Sequence, residues 1–333
     1  MKKTFNWGIL GTSFISGEMA DAIVKEGNTH LHSVAGRSVK TLTEFANKYD
    51  IKNRYTDFDA LINDADVDII YIALPNHIHH DYVIKAANAG KAVLCEKSLS
   101  VDMQKTQAAL AAVKENDTFF VEGLMYLTHP FINTLAQTVK SGAIGEIKSI
   151  TGQYCAAIEQ FVNPMSKGAL YNLGCYPASL MHLLIKQEFG HEVSDNYQIS
   201  ASGIRGNDGN ICESAATIQY INGVTCQLHT AENYGLHFSF TVLGSKGTLV
   251  LTSNPWLPDV SGNSFAITKY EQKTESISVE ADGNGFLYQV KLIREALLQG
   301  HKRLQRPAAT PEDSAHIMKL LTDWEGAILA VSP

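Results

Sequence analysis

The sequence predicts two folded parts: a doubly wound α/β domain with a parallel sheet over residues 1–124, and an α+β domain with a large, mostly antiparallel sheet over residues 125–333. Three observations predict this. Strand-like and helix-like segments alternate through the first third. The runs "VDIIYIALP" and "KAVLCEK" are nearly continuous in apolar residues, as parallel strands covered on both faces should be. Beyond about Thr128 the pattern changes to strands separated by the turn signals "GNDGN", "NG" and "GSKG".

The elements follow in order. "FNWGIL" reads as a short strand, and "GEMADAIVKEG" as a helix stopped at Gly27. "THLHSVAGRS" is a second strand with its turn. "VKTLTEFANKYD" is a helix with Leu42, Phe45, Ala46 and Tyr49 at helical spacing. "RYTDFDALIND" reads as a connector before the strand "VDIIYIALP". Then come the helix "HIHHDYVIKAANAG", the strand "KAVLCEK", the helix "SVDMQKTQAALAAVKEN" and the strand "TFFVEGLM". In the second part "GEIKSITGQYCAAI" is strand-like and "YPASLMHLLIKQEFG" is a helix ending at Gly190. Strand candidates run from Gln198 to Lys273, and two amphipathic helices close the chain, the second opening on Pro311-Glu312-Asp313. One face of such a sheet can pack on the "ASLMHLLI" helix, and the other is expected to meet a second copy, giving a homodimer or homotetramer.

Length and composition narrow the function. A chain of 333 residues suits two cores, and 45% hydrophobic with 18% charged residues suits a well-buried globular protein. A net charge of -7 argues against a nucleic-acid partner. No stretch reaches the roughly 18 apolar residues of a membrane span, and the N-terminal apolar run is broken by Asn6 and Gly8, so a cytoplasmic protein is expected. The five cysteines are scattered without a CxxC pair, which fits free thiols better than disulfides or zinc.

In doubly wound sheets, ligands bind at the carboxyl ends of the strands. Gly11, Arg37, Pro75, Lys97 and Glu122 all fall at or just after predicted strand ends. "GILGTSFIS" is a degenerate form of a phosphate-binding G-x-G-x-x-G turn, with Gly11, Ser13 and Ser16 at the glycine positions. Small serines can still donate hydrogen bonds to phosphate, so Gly11, Thr12, Ser13, Phe14 and Ile15 are candidate dinucleotide contacts. A plain strand-to-helix turn is the alternative. An acid after the second strand would bind a ribose 2′-hydroxyl. Here stand Arg37, Ser38 and Lys40, which suit a 2′-phosphate and favour NADP, with NAD possible. Glu96 and Lys97 follow a buried strand, where charges are costly unless paired or used. As neighbours on a strand they point to opposite faces, which weakens a simple ion pair between them. His77, His79 and His80 lack acidic or cysteine companions at ligand spacing, so no metal is expected.

"WGILGTSFIS", "YIALPNHIHHDYVIKAANAGKAVLCEKSL", "SKGALYNLGCYP" and "TVLGSKGTLVLTSNPW" resemble the glucose–fructose oxidoreductase / inositol dehydrogenase (Gfo/Idh/MocA) family, and within it the dimeric dihydrodiol dehydrogenase branch. The resemblance implies a Rossmann domain binding NAD(P) and a C-terminal sheet that often mediates oligomerisation. The family's E-K-P motif matches Glu96-Lys97-Ser98, with serine in place of proline. Its lysine lies near the nicotinamide and the reacting carbonyl or alcohol. The P-N-x-x-H motif matches Pro75, Asn76 and His79, which with Leu74 are implied on the cofactor side. The D-x-G-x-Y motif reads Asn172-Leu173-Gly174-Cys175-Tyr176. Tyr176 takes the proton-donor position, while Asn172 replaces the aspartate and cannot carry its charge. Tyr126 and His129 stand where relatives shape the pocket.

Two functions follow. The leading one is hydride transfer between NADP(H) and a carbonyl or alcohol carbon of a sugar, polyol or cyclic diol, with Lys97 polarising the oxygen and Tyr176 moving the proton. The second is a dinucleotide-binding sensor or regulatory protein with little turnover, motivated by Asn172 and the degenerate loop.

Overall fold

The computed structural model describes residues 3–331. The first part alternates as the pattern requires: β1 (Phe5–Leu10), α1 (Phe14–Glu26), β2 (Thr29–Ala35), α2 (Val39–Lys48), β3 (Asn53–Tyr55), α3 (Phe58–Ile62), β4 (Ile69–Ile72), α4 (His79–Asn88), β5 (Ala92–Cys95), α5 (Met103–Glu115) and β6 (Phe120–Glu122). The connector expected at 54–64 instead contains β3 and the one-turn helix α3, which Asp57 caps by accepting from the Asp59 amide. The second part continues with α6 (Pro130–Lys140), β7 (Ile147–Ala156), α7 (Cys175–Ser194), β8 (Tyr197–Arg205), β9 (Ile211–Tyr220), β10 (Thr225–Ala231), β11 (Leu236–Gly244), β12 (Gly247–Leu251), β13 (Asn263–Lys269), β14 (Glu275–Val279), α8 (Gly285–Leu298) and α9 (Pro311–Val331).

These elements form two compact units. One comprises the chain through Met125 together with Phe286–Ala315; the other comprises Tyr126–Gly285 and the chain from His316 onward. The first unit holds a six-stranded sheet in the order β3-β2-β1-β4-β5-β6, and every pairing in it is parallel. Helical crossovers between the parallel strands produce this doubly wound order. Ile69, Ile70, Tyr71 and Ile72 of β4 and all four residues of β5 are buried, which explains their uninterrupted apolar sequence. The stretch Phe286–Ala315 packs against this sheet; the Phe120 amide donates to the Lys302 carbonyl, and Gln289 Nε2 donates to the Glu122 carbonyl.

The second unit holds an eight-stranded sheet, β14-β13-β12-β11-β7-β10-β9-β8. It is antiparallel except for β10 against β7, which run parallel. Along β9 the residues Cys212, Ser214, Ala216, Ile218 and Tyr220 are buried while Ala215, Thr217 and Gln219 are exposed. The inner face receives α7: a side chain at Gly152 would meet Pro177 Cβ at 3.0 Å. The α7 helix is interrupted at Gly190, whose φ of 74° only glycine adopts readily, close to the stop read from the sequence. Over β7 to β10 the outer face is largely polar, with Thr151, Gln153, Ser200, Ser202, Thr217, Gln227 and His229 lining a shallow hollow of about 580 Å³, while Leu243 and Val250 are exposed apolar residues of the same face on β11 and β12. All five cysteines are buried and none forms a disulfide among the described residues. Among the described residues no helix is long and apolar enough to cross a membrane.

Candidate active site

In the first unit, Gly11, Arg37, Pro75, Lys97 and Glu122 do lie at the carboxyl edge of the parallel sheet, each at or within three residues of a strand end. Gly11 has φ +108°, and a Cβ there would lie 2.5 Å from the Ala73 carbonyl oxygen, so two constraints select glycine. Its amide donates to Ala35, tying the turn to β2. Ser13 caps α1. Its amide donates to Ser16 Oγ at 3.2 Å, and the two hydroxyls lie 3.2 Å apart. Ser16 is buried, so of the two serines standing at the usual glycine positions only Ser13 reaches the surface. Thr12 and Ile15 are half-buried and Phe14 is 82% exposed. The first turn of α1 carries no acid, leaving a helix N-terminus with its amides and dipole available to an anion.

Arg37 and Lys40 are exposed after β2. Ser38 has a structural task as well: its Oγ accepts from the Thr41 amide at 3.4 Å and caps α2. The Gly11 turn, the acid-free helix start and the exposed Arg37 fit the pyrophosphate and ribose end of a dinucleotide.

The β4 and β5 ends are joined through His79. Its ring is buried, with Nδ1 2.9 Å from the Ser98 carbonyl and Nε2 2.6 Å from the Leu74 carbonyl. Burial pushes its pKa down to about 4 against the pull of those two carbonyls, and the neutral ring has one N–H, which donates to one of the two carbonyls while its other nitrogen lies beside the second. Leu74 and Pro75 are half-buried and Asn76 is buried. The sequence implied that His79 lines the cofactor side; its visible contacts are to backbone.

Glu96 is 6% exposed and Lys97 half-buried. Tyr71 donates to Glu96 Oε1 at 2.7 Å, and the Lys97 amide to Oε2 at 3.3 Å. Burial raises the Glu96 pKa, opposed by Tyr71 and by the Lys97 charge. The Lys97–Ser98 peptide bond is cis. Beside them Glu122 accepts from the Leu99 amide at 2.9 Å, and burial lifts its carboxyl to about 7.

In the second unit Tyr176 is the second residue of α7 and 7% exposed. It sits in an aromatic cluster, with ring centroids 5.7 Å from Tyr126, 5.2 Å from Tyr154 and 6.0 Å from Trp256. Tyr126 Oη donates to the Tyr176 carbonyl at 3.0 Å and meets Ser179 Oγ at 2.7 Å. Asn172 lies in a π-helical turn, Leu170–Gly174, leading into α7. Its Nδ2 donates to Glu232 Oε2 at 2.7 Å. His129 is taken up structurally: Nδ1 accepts from the Phe131 amide to cap α6, and Nε2 reaches the Gly283 carbonyl at 3.1 Å. Tyr154 and Glu232 were not read as site residues from sequence. Trp256 was quoted only within a resembling stretch.

Residues 5–124 match the oxidoreductase family with an NAD-binding Rossmann fold, and residues 132–250 match the GFO/IDH/MocA C-terminal domain. The chain belongs to the Gfo/Idh/MocA family. The family's enzymes are NAD(P)-dependent oxidoreductases, and that is this chain's activity class. Curated relatives include trans-1,2-dihydrobenzene-1,2-diol dehydrogenases from Xenopus laevis, 25% identical over 95% of this chain and 96% of the relative, and from Bos taurus, 26% identical over 97% and 96%. Solved structures of the same fold include a 3-ketoreductase from Actinomadura kijaniata with NADP and TDP-benzene, at TM-score 0.85 and 23% identity over 98% of both chains. A levoglucosan dehydrogenase with NADH and levoglucosan has TM-score 0.83 and 17% identity, covering 99% of this chain and 98% of that one. These relatives are enzymes, and the sensor reading draws no support from them.

Proposed function

We propose that this oxidoreductase interconverts a hydroxyl and a carbonyl on a sugar, polyol or cyclic diol, using NADP(H) in preference to NAD(H). The observation that carries the substrate class is the cluster of Tyr126, Tyr154, Tyr176 and Trp256, together with the Asn172 amide, bonded to the Glu232 carboxylate, in the turn that leads into the helix carrying Tyr176. Aromatic faces suit the C–H face of a ring, while amide and carboxylate suit its hydroxyls. Relatives named for a cyclic diol, a nucleotide-sugar ketone and an anhydrosugar agree in kind.

Residues 1–124 serve cofactor binding in this reading and residues 125–333 serve substrate binding and assembly. The bound nicotinamide supplies or takes the hydride. Gly11 to Ile15 seat the pyrophosphate on the α1 N-terminus, Arg37 and Ser38 face the 2′-phosphate, and Leu74, Pro75, Asn76 and His79 shape the crevice wall. Lys97 stabilises negative charge growing on the substrate oxygen, with Glu96 holding its segment in place, and Tyr176 gives that oxygen its proton, or removes it in the oxidative direction. Assembly into a homodimer or homotetramer would use the outer sheet face, where the exposed Leu243 and Val250 adjoin polar side chains. Five cysteines without a disulfide among the described residues suit the cytoplasm.

The test is turnover across aldoses, inositols, cyclic diols and diketones with each cofactor. Reduction or oxidation of a polyhydroxylated substrate, faster with NADP(H), is expected. Turnover confined to substrates without neighbouring hydroxyls overturns the substrate class. Light scattering at micromolar concentration checks assembly, and a monomer there overturns that part.

A further inference from the structure

Asn172 stands where the family motif has an aspartate, yet a carboxylate is present at the same place. Glu232, immediately after β10, is 2% exposed, and its Oε2 accepts from Asn172 Nδ2 at 2.7 Å. Thr230, two residues before Glu232, also links the two segments: its one hydroxyl hydrogen is shared between the Tyr154 carbonyl at 3.1 Å and the Ala169 carbonyl at 3.4 Å. A Cβ on Gly174 would meet Thr230 Cγ2 at 3.4 Å, so the π-helical turn lies directly against the end of β10. The Glu232 backbone is fixed too: its amide donates to Cys212, and its carbonyl accepts from Ile158 and Glu159. Cys212 and Glu159 are thus the titratable residues bonded to its backbone.

A buried carboxylate is expensive unless hydrogen-bonded. An ionised one only accepts, so the contact fixes the Asn172 amide with Nδ2 toward Glu232 and Oδ1 on the other side. We infer that Glu232 supplies the negative charge of the substrate site in place of the motif's aspartate, and that it orients Asn172 to accept a hydrogen bond from a substrate hydroxyl. The inference rests on the proposed reading of Asn172 and Tyr176 as substrate-side residues. In it Asn172 touches the substrate and Glu232 is the positioning residue. The charge has moved one side chain outward, from residue 172 to its partner, and the site reads a donor hydroxyl rather than losing its acid.

The experiment separates charge from shape. Glu232→Gln keeps the size and an acceptor for Asn172 Nδ2 but removes the charge. Asn172→Asp places two carboxylates in contact, which must then share a proton. The double variant Asn172→Asp/Glu232→Gln restores a single charge with the polarity reversed. With a substrate found for the wild type, Glu232→Gln is expected to lower kcat/KM by about 10-fold or more while the NADP(H) Kd stays within about twofold. Asn172→Asp should add a titration to the kcat/KM pH profile, with activity falling as the shared proton is lost at higher pH, and the double variant should recover most of the lost activity. Glu232→Gln with wild-type kcat/KM, or a double variant no better than the worse single, overturns the inference.

If the wild type turns over no polyhydroxylated substrate, the functional reading fails, and melting temperatures still judge the pair. Asn172→Asp should lose stability between pH 5 and pH 8, and the double variant should not. Equal pH dependence in both variants shows the two side chains uncoupled and overturns the inference on that ground alone.

Discussion

Tyr71 donates its hydroxyl hydrogen to Glu96 Oε1 across 2.7 Å, from the middle of β4 to the residue just past β5. Both side chains are buried. The charged pair Glu96-Lys97 that ends an apolar strand is therefore not an exposed ion pair: the glutamate turns inward to a tyrosine. This anchors the backbone on which Lys97 is carried. Tyr71→Phe leaves a buried carboxyl with one donor fewer, which should cost about 1–3 kcal/mol of stability. The carboxyl should also become easier to protonate, because Tyr71 opposes the upward push of burial. Denaturant unfolding of the variant checks the first effect; a loss under about 0.5 kcal/mol contradicts the anchoring role.

Glu122 gives the fold a pH dependence whose sign is fixed. Burial raises its carboxyl from 4.5 to about 7, with the Ser314 hydroxyl and then the Leu99 amide pulling the other way. The folded state then holds a proton that the unfolded chain releases. Stability from this group is full below about pH 4.5, falls as pH rises toward about 7, and is level above that. A shift of that size corresponds to about 3 kcal/mol. Glu122→Gln removes the titration. The variant should gain melting temperature relative to wild type between pH 5 and pH 8, and a difference independent of pH rules the mechanism out.

The parallel sheet was legible because strands covered on both faces must be apolar throughout, and β4 and β5 are. The rim residues were legible for the same reason: once a strand end is located, its next residue is at the ligand edge. Helix α6 was not read, because its N-cap is His129, an unusual capping residue, although Pro130 at the first helical position is a start signal. The return of Phe286–Ala315 to the first unit depends on long-range packing that no local period encodes. The same holds at the site. Tyr176 stood in a motif, but Tyr154 and Glu232 reach it from β7 and from the residue after β10, and only the sheet register joins those segments. The largely polar outer face over β7 to β10 shows a limit of pattern reading: alternation marks which residues face out, and Thr, Ser and Gln can occupy those positions as readily as apolar residues.

The Gly11 turn sets a strict local requirement. Gly11→Ala brings a methyl to 2.5 Å from the Ala73 carbonyl at a φ of +108°. The backbone must shift, and the α1 N-terminus shifts with it. NADP(H) affinity should fall about 10-fold or more, with stability reduced by about 1–3 kcal/mol. Calorimetry gives the first number and thermal melting the second; unchanged affinity removes the turn from the binding site.

Arg37 determines cofactor preference in the proposed reading, because it is exposed directly after β2 with no acid beside it in the Gly36-Arg37-Ser38 turn. Arg37→Asp replaces a partner of the 2′-phosphate with a group that repels it and accepts from a 2′-hydroxyl. The order of NADP(H) and NAD(H) affinities should reverse, by a swing of about 100-fold or more. Equal wild-type affinities for the two cofactors contradict the assignment before any variant is made.

Lys97 and Tyr176 are expected to be needed for turnover and dispensable for cofactor binding. Lys97→Met keeps most of the stem and removes the charge that stabilises the substrate oxygen. Tyr176→Phe removes one hydroxyl while its ring still packs among Tyr126, Tyr154 and Trp256, so the second unit should melt as before. Each change deletes an interaction made chiefly in the transition state, so kcat should fall about 10²–10⁴-fold with the NADP(H) Kd nearly constant. The two losses should add to less than their product if both groups act on one oxygen, since residues that work as a unit are not independent. Tyr176→Phe should also flatten the alkaline side of the pH–rate profile, which a purely structural tyrosine would leave in place. Wild-type kcat in Lys97→Met on a confirmed substrate would return Lys97 to an ordinary strand-end lysine and leave the chemistry to other groups.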